Sequence, residues 1–87
     1  MLTNEEVINK YSKVQLKFSS YYKYSFSFKG MAPDGVEILA SYGGNAGDIY
    51  RYRVESNTQE TLENFPEKFM YVLIKKDNQD IFEYRDY

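Results

Sequence analysis

Val14-Gln15-Leu16-Lys17-Phe18-Ser19-Ser20-Tyr21-Tyr22-Lys23-Tyr24-Ser25-Phe26-Ser27-Phe28-Lys29 is the stretch that decides the fold. Its even positions are apolar or aromatic (Val14, Leu16, Phe18, Tyr22, Tyr24, Phe26, Phe28), Ser20 excepted, and its odd positions are polar or charged apart from Tyr21. A period of two is the mark of a strand with one buried and one wet face. At about 3.3 Å per residue the stretch would run roughly 53 Å, against a radius of gyration of about 12 Å for a folded chain of this length. The ribbon must therefore bend or break. Ser19 and Ser20 are the expected place, because the inward series loses its large side chain there and two small polar residues tolerate a bulge or corner. The longer arm, Tyr21 to Lys29, is expected to be a principal strand.

Upstream, Leu2-Thr3-Asn4-Glu5-Glu6-Val7 reads as a helix start. Thr3 caps, Glu6 three residues on closes a capping box, and Leu2 and Val7 hold the staple positions. The helix should end near Tyr11 or Ser12. Being short, it needs the sheet that follows for stability, with Val7, Ile8 and Tyr11 on its apolar side.

Downstream, Gly30-Met31-Ala32-Pro33-Asp34-Gly35 is turn chemistry. A strand follows with Val36, Ile38, Ala40 and Tyr42 on one face and Glu37, Leu39 and Ser41 on the other. Gly43-Gly44-Asn45-Ala46-Gly47-Asp48 leads into a strand pattern instead of a helix and is read as a hairpin loop, not a phosphate cradle. Residues 49–55 alternate as a third strand and complete an antiparallel meander. Residues 56–65 turn polar and suit a loop with about two helical turns, stopped near Pro66. Phe69 to Ile74 is apolar on every side. Pro66 would also suit a first helical position there, but the β-branched Val72 and Ile74 favour a buried strand. Residues 75–84 then form a closing hairpin. The whole reads as one α+β domain over residues 1–87, a short N-terminal helix packed on a mostly antiparallel sheet of four to five strands.

The 87 residues contain neither Cys nor His. Disulfides, thiolate ligands, imidazole ligands and every His-dependent hydrolytic mechanism are closed to such a chain. Asp34, Asp48, Asp77 and Asp80 are the available magnesium ligands, yet all fall in predicted turns, where Asp serves the local backbone. The chain is therefore read as non-catalytic and without a metal or other cofactor. No apolar run reaches the ~20 residues of a membrane span, and Glu5 and Glu6 stand where a secretory signal would be basic. A cytoplasmic protein is expected, in the host cytoplasm if phage-encoded.

The net charge of −2 is unevenly spread: residues 1–30 carry +3 and residues 31–87 carry −5. Two interaction surfaces follow. Lys17, Lys23, Lys29, Arg51 and Arg53 with Tyr21 mix cations and a ring as single-strand nucleic-acid binders do, although Glu37 and Glu55 share that predicted face and can neutralise it. Asp77, Asp80, Glu83 and Asp86 gather at the end of the sequence with Tyr84 and Tyr87 among them, offering charge to steer a basic partner and rings to anchor it, provided Tyr84 is not itself core. Ten tyrosines, too many for one small core, favour a protein interface. In size and composition the chain resembles the small inhibitor proteins that phages and mobile elements use against bacterial defence, of which the anti-CRISPR proteins are the best known. That resemblance implies stoichiometric inhibition of a nucleic-acid-handling complex, bound at its basic groove through the carboxylates. A small structural subunit of a larger assembly would share the same composition.

Overall fold

The computed structural model describes the chain except Tyr24, Ala46, residues 48–58, Asn64 and Tyr87. The expected third strand, with Arg51 and Arg53, lies outside the described residues, as does Tyr87.

Helix α1 runs over Asn4–Tyr11, and Thr3 caps it as the sequence indicates. The Thr3 hydroxyl accepts from the Glu6 N–H at 3.2 Å and the Glu6 carboxylate accepts from the Thr3 N–H at 3.0 Å. The bond from the Thr3 N–H, and then the Thr3 side chain, hold the Glu6 carboxyl below its usual range. Val7 and Tyr11 are buried, with Leu2 and Ile8 packed beside them. The Leu2 N–H also donates to the Ile81 carbonyl at 3.0 Å, so the helix entrance is tied to the far end of the chain.

The Val14 to Lys29 ribbon becomes two strands, β1 (Leu16–Tyr22) and β2 (Ser25–Met31), paired antiparallel. The sequence places the break at Ser19-Ser20, but the chain reverses after Tyr22, where Lys23 takes a φ of 55°. What Ser19 supplies is a bulge. Phe18 lies opposite Phe28 and Ser20 opposite Ser27, which leaves Ser19 as the extra residue. One unpaired residue exchanges the faces of everything beyond it, so Tyr21 comes opposite the buried Phe26 and Tyr22 turns to solvent.

At the end of β2, Gly30 is strand and not turn. A Cβ there would lie 2.6 Å from both the Gln15 carbonyl oxygen and Leu16 Cδ2, so glycine allows the start of β1 to pack close. The turn itself is closed by Ala32 donating to Val36 at 2.9 Å and by Gly35 at a φ of 82°. Strand β3 covers Glu37–Gly43 with Ile38, Ala40 and Tyr42 buried, as its alternation predicts.

Strand β4 is only Gln59–Glu60, pairing with Lys17 and Leu16. Helix α2, Phe65–Lys68, is a single turn that contains Pro66 instead of stopping before it. In a first turn the missing proline N–H has no partner to lose. Strand β5 (Tyr71–Lys76) and strand β6 (Gln79–Arg85) form the closing hairpin. Its two-residue turn has Asp77 at a φ of 51° and Asn78 at 63°, the primed turn that suits strand twist.

The described strands make one antiparallel sheet of six, in the order β4-β1-β2-β3-β5-β6. That exceeds the expected four to five because the ribbon is split and because two-residue β4 is too short to leave a period in the sequence. Leu16, Phe26, Phe28, Ile38, Ala40, Tyr42, Val72, Ile74 and Phe82 share one face. They form a single core with Val7 and Tyr11 of α1 and with Leu62, Phe65 and Phe69 around α2. Within it the Phe28 and Tyr42 rings stack at 5.7 Å with 4° between planes, and Phe69 meets both edge-on.

Candidate interaction surface

Register fixes what the other face carries. Across the middle of the sheet run Lys17, Lys29, Leu39, Leu73 and Glu83, each directly opposite the next. On one side of this row lie Met31, Glu37, Lys75 and Asp80, and on the other Ser20, Ser27, Ser41, Tyr71 and Arg85. None of these side chains joins the buried core. Leu39, Leu73 and Tyr71 are half-buried at the centre, and Lys17, Lys29, Glu37 and Glu83 are exposed around them. A hollow of about 230 Å³ lies on this face between Lys29, Glu37, Leu39, Leu73 and Lys75, smaller than the ~300 Å³ at which small-molecule pockets begin. Ser27 and Ser41 satisfy each other at 3.0 Å.

Electrostatically the face is divided. On β1 and β2, Lys17 and Lys29 stand directly opposite, with no ion pair to either among the described residues, an arrangement that costs stability. On β5 and β6 the charges are matched: Lys75 lies 3.9 Å from Asp80 and Arg85 lies 3.1 Å from Glu83. The Arg85 guanidinium also sits 5.4 Å over the Tyr71 ring.

The acidic residues singled out in the sequence are distributed along the outer hairpin and do not converge. Asp77 is exposed at its tip, Asp80 and Glu83 follow on β6, and Asp86 is exposed just past its end, where its N–H donates to the Met70 carbonyl at 2.8 Å. Tyr84 is on the core side. It lies opposite Val72, its ring meets Phe65 edge-on at 5.2 Å, and its hydroxyl donates to the Pro66 carbonyl at 3.4 Å. The bond between Asp86 and Met70 also sets the phase of the ladder: Tyr84 turns its backbone toward β5, and Glu83 turns its N–H and C=O outward.

Of the basic set, Lys17 and Lys29 are brought together, Lys23 lies at the far end of the β1–β2 hairpin with its amine 5.5 Å over the Tyr22 ring, and Tyr21 is on the opposite face. Arg51 and Arg53 lie outside the described residues. Tyr22 is 74% exposed, a surface ring that strict alternation assigns to the core. Leu39 was legible as an apolar residue on a wet face, whereas Leu73 was hidden in a run apolar on both sides.

Tyr11 holds one more constraint. Burial, and then the Asp34 carboxylate that accepts from its hydroxyl at 3.1 Å, push its phenol above the usual range. Asp34 also accepts from the Val36 N–H at 3.3 Å, so this acid is turn-bound, as its sequence context indicates. Among the described residues no three acids lie close enough together to hold a metal ion. Nor is any described helix long and apolar enough to cross a membrane.

Compared with known protein families, curated proteins and solved structures, the chain matches none. The fold itself defines an α+β protein whose described helices pack on one face of an antiparallel sheet.

Proposed function

We propose that the chain is a non-catalytic protein-binding module, a stoichiometric inhibitor of a nucleic-acid-handling defence complex of the kind its composition resembles. The observation that carries this reading is the outer strand. β6 has no strand beyond it among the described residues, turns the Glu83 backbone outward, and is bracketed by the exposed carboxylates of Asp77, Asp80 and Asp86. Outward backbone groups recognise another polypeptide by strand addition, and flanking carboxylates select a basic one.

The test begins with capture of a partner from the host on immobilised protein, followed by surface plasmon resonance with the identified partner. Asp77→Asn combined with Asp86→Asn keeps the turn, since Asn tolerates a positive φ. It should slow association several-fold at low salt and much less at high salt. Association that is unchanged at low salt removes the acidic strand from the binding surface. The unmatched Lys17–Lys29 pair supports a second reading, direct binding of single-stranded nucleic acid. Under the protein-binding reading, a titration with mixed oligonucleotides near physiological salt shows no micromolar complex, and a salt-sensitive one would favour the alternative.

A further inference from the structure

We infer that the face of the sheet left open by the described elements is covered by the same face of a second copy, in a two-fold dimer whose axis runs parallel to the strands at β3. The argument begins with the central row, which reads Lys17, Lys29, Leu39, Leu73, Glu83 from β1 to β6. An axis parallel to the strands reverses this row over itself. Lys17 then meets the partner's Glu83, Lys29 crosses the partner's Leu73 with its methylene stem, and Leu39 meets its own counterpart, as does Glu37 on the same strand, the one like-charged contact this arrangement makes. An axis perpendicular to the strands through this row would instead set Lys17, Lys29 and Glu83 each on its own counterpart, three like-charged contacts against one. Charge therefore selects one of the two face-to-face arrangements, and that one supplies a counter-charge to a like-charged pair that has none among the described residues of its own chain.

Size is consistent with this. β1, β2, β3, β5 and β6 are six or seven residues long, so at about 4.8 Å per strand and 3.3 Å per residue the face is roughly 24 Å by 23 Å. Two such faces bury about 1,100 Å² before side-chain relief is counted, above the ~1,000 Å² that separates specific interfaces from incidental contacts. The centre is apolar at Leu39 and Leu73 and the periphery is charged, the usual layout of an interface. Three central apolar side chains per copy, counting Tyr71, predict a modest dimer with a micromolar dissociation constant. The contact is independent of Asp77 and Asp86, so the partner-binding test above and this one fail separately.

Sedimentation velocity on the full chain, from about 1 to 500 µM, provides the test. The expected result is a monomer–dimer equilibrium that weakens between about 50 mM and 500 mM salt. Lys17→Glu and Glu83→Lys should each weaken it about five- to tenfold, and the double exchange should restore it to within about threefold of the parent. Within one chain the two residues sit on strands about 19 Å apart, four strand spacings, so restoration must act between copies. Lys17→Glu also relieves the repulsion with Lys29 and should raise the melting temperature, which separates lost association from lost folding. A monomer at every concentration at low salt overturns the inference. So does a dimer indifferent to both single exchanges, or one that the double exchange weakens further. A monomer that instead co-sediments with a mixed single-stranded oligonucleotide overturns it too, and assigns the lysine pair to an anionic ligand.

Discussion

Phe28→Ala is the most direct test of the fold. The ring is fully buried and has ring neighbours on three elements: Phe18 on β1 at 5.9 Å, Tyr42 on β3 at 5.7 Å, and Phe69 beyond α2 at 6.4 Å. Truncating a buried Phe costs about 3 to 5 kcal/mol, the larger figure where the walls relax least. Here two of the walls are strands held by backbone ladders on both sides of β2, so the loss should fall near 4 to 5 kcal/mol, on that same scale. A chain of this size has about 4 to 13 kcal/mol in all. The variant is therefore expected to be barely folded, and Phe28→Leu, which leaves a smaller void, supplies a measurable intermediate. Ser25→Ala, on the opposite face and exposed, should change stability by less than about 0.5 kcal/mol. Ser27→Ala should cost about 1 kcal/mol for its bond to Ser41. Urea unfolding followed by far-ultraviolet circular dichroism and tyrosine fluorescence measures all four. A Phe28→Ala loss below about 2 kcal/mol, or a Ser25→Ala loss of equal size, would refute the assignment of faces.

Two further predictions concern local contacts. Because the Tyr11 phenol is raised in the folded state and not in the unfolded one, the stability it contributes is fully present below the unfolded pKa of about 10. That contribution is lost as pH rises through the folded pKa. Tyr11→Phe should cost about 1 kcal/mol at neutral pH and flatten the alkaline fall in melting temperature, and an unchanged alkaline profile would show that Tyr11 is not its source. Gly30→Ala should destabilise by about 1 to 3 kcal/mol, since the new Cβ would lie 2.6 Å from the Gln15 carbonyl oxygen, a backbone atom, and equally close to Leu16 Cδ2 of the fully buried Leu16. A neutral result in the same urea assay would mean that the β1 entrance is looser than drawn.

The parts of the fold legible in the sequence were those determined by residues close together in the chain. Thr3 and Glu6 are three apart, and the capping box follows from spacing alone. Ile38, Ala40 and Tyr42 alternate without interruption, and β3 faces as they predict. What failed was long-range phase. Ser19 was recognised as a place for a bulge, but an alternating sequence does not say which residue will go unpaired, and the choice exchanges Tyr21 with Tyr22. A second bulge at Ile81, between the pairs Ile74–Phe82 and Lys75–Asp80, likewise sets Asp80 on the open face and Phe82 on the core although both are even. The candidate site was hardest to see for the same reason. The acids of β6 were countable, but the proximity of Lys75 to Asp80 depends on pairing across the hairpin, and so does the uncompensated meeting of Lys17 with Lys29.

The tyrosines show how far composition can be pressed. Their number argues for an interface, on the ground that one small core cannot hold so many rings. Yet a sheet covered on one face has a core that is wide for its volume, and its perimeter needs side chains that are apolar along the body and wet at the tip. Tyr11 and Tyr84 are such residues, the first meeting Asp34 and the second the Pro66 carbonyl at the core's margin, and Tyr42 completes the ring cluster over Phe28. Core closure thus accounts for three rings that the composition argument had left available for a partner. Among the described tyrosines, Tyr21 stacks on Phe18 and Phe26 at the core's edge although 42% exposed, which leaves Tyr22, 74% exposed, and Tyr71, half-buried at the centre of the open face, as the ones it does not account for. Both lie on the face opposite the helices. The case for an interface therefore narrows from a residue count to a place, and any partner, a second copy included, has to be explained by what that face and its outer strand present.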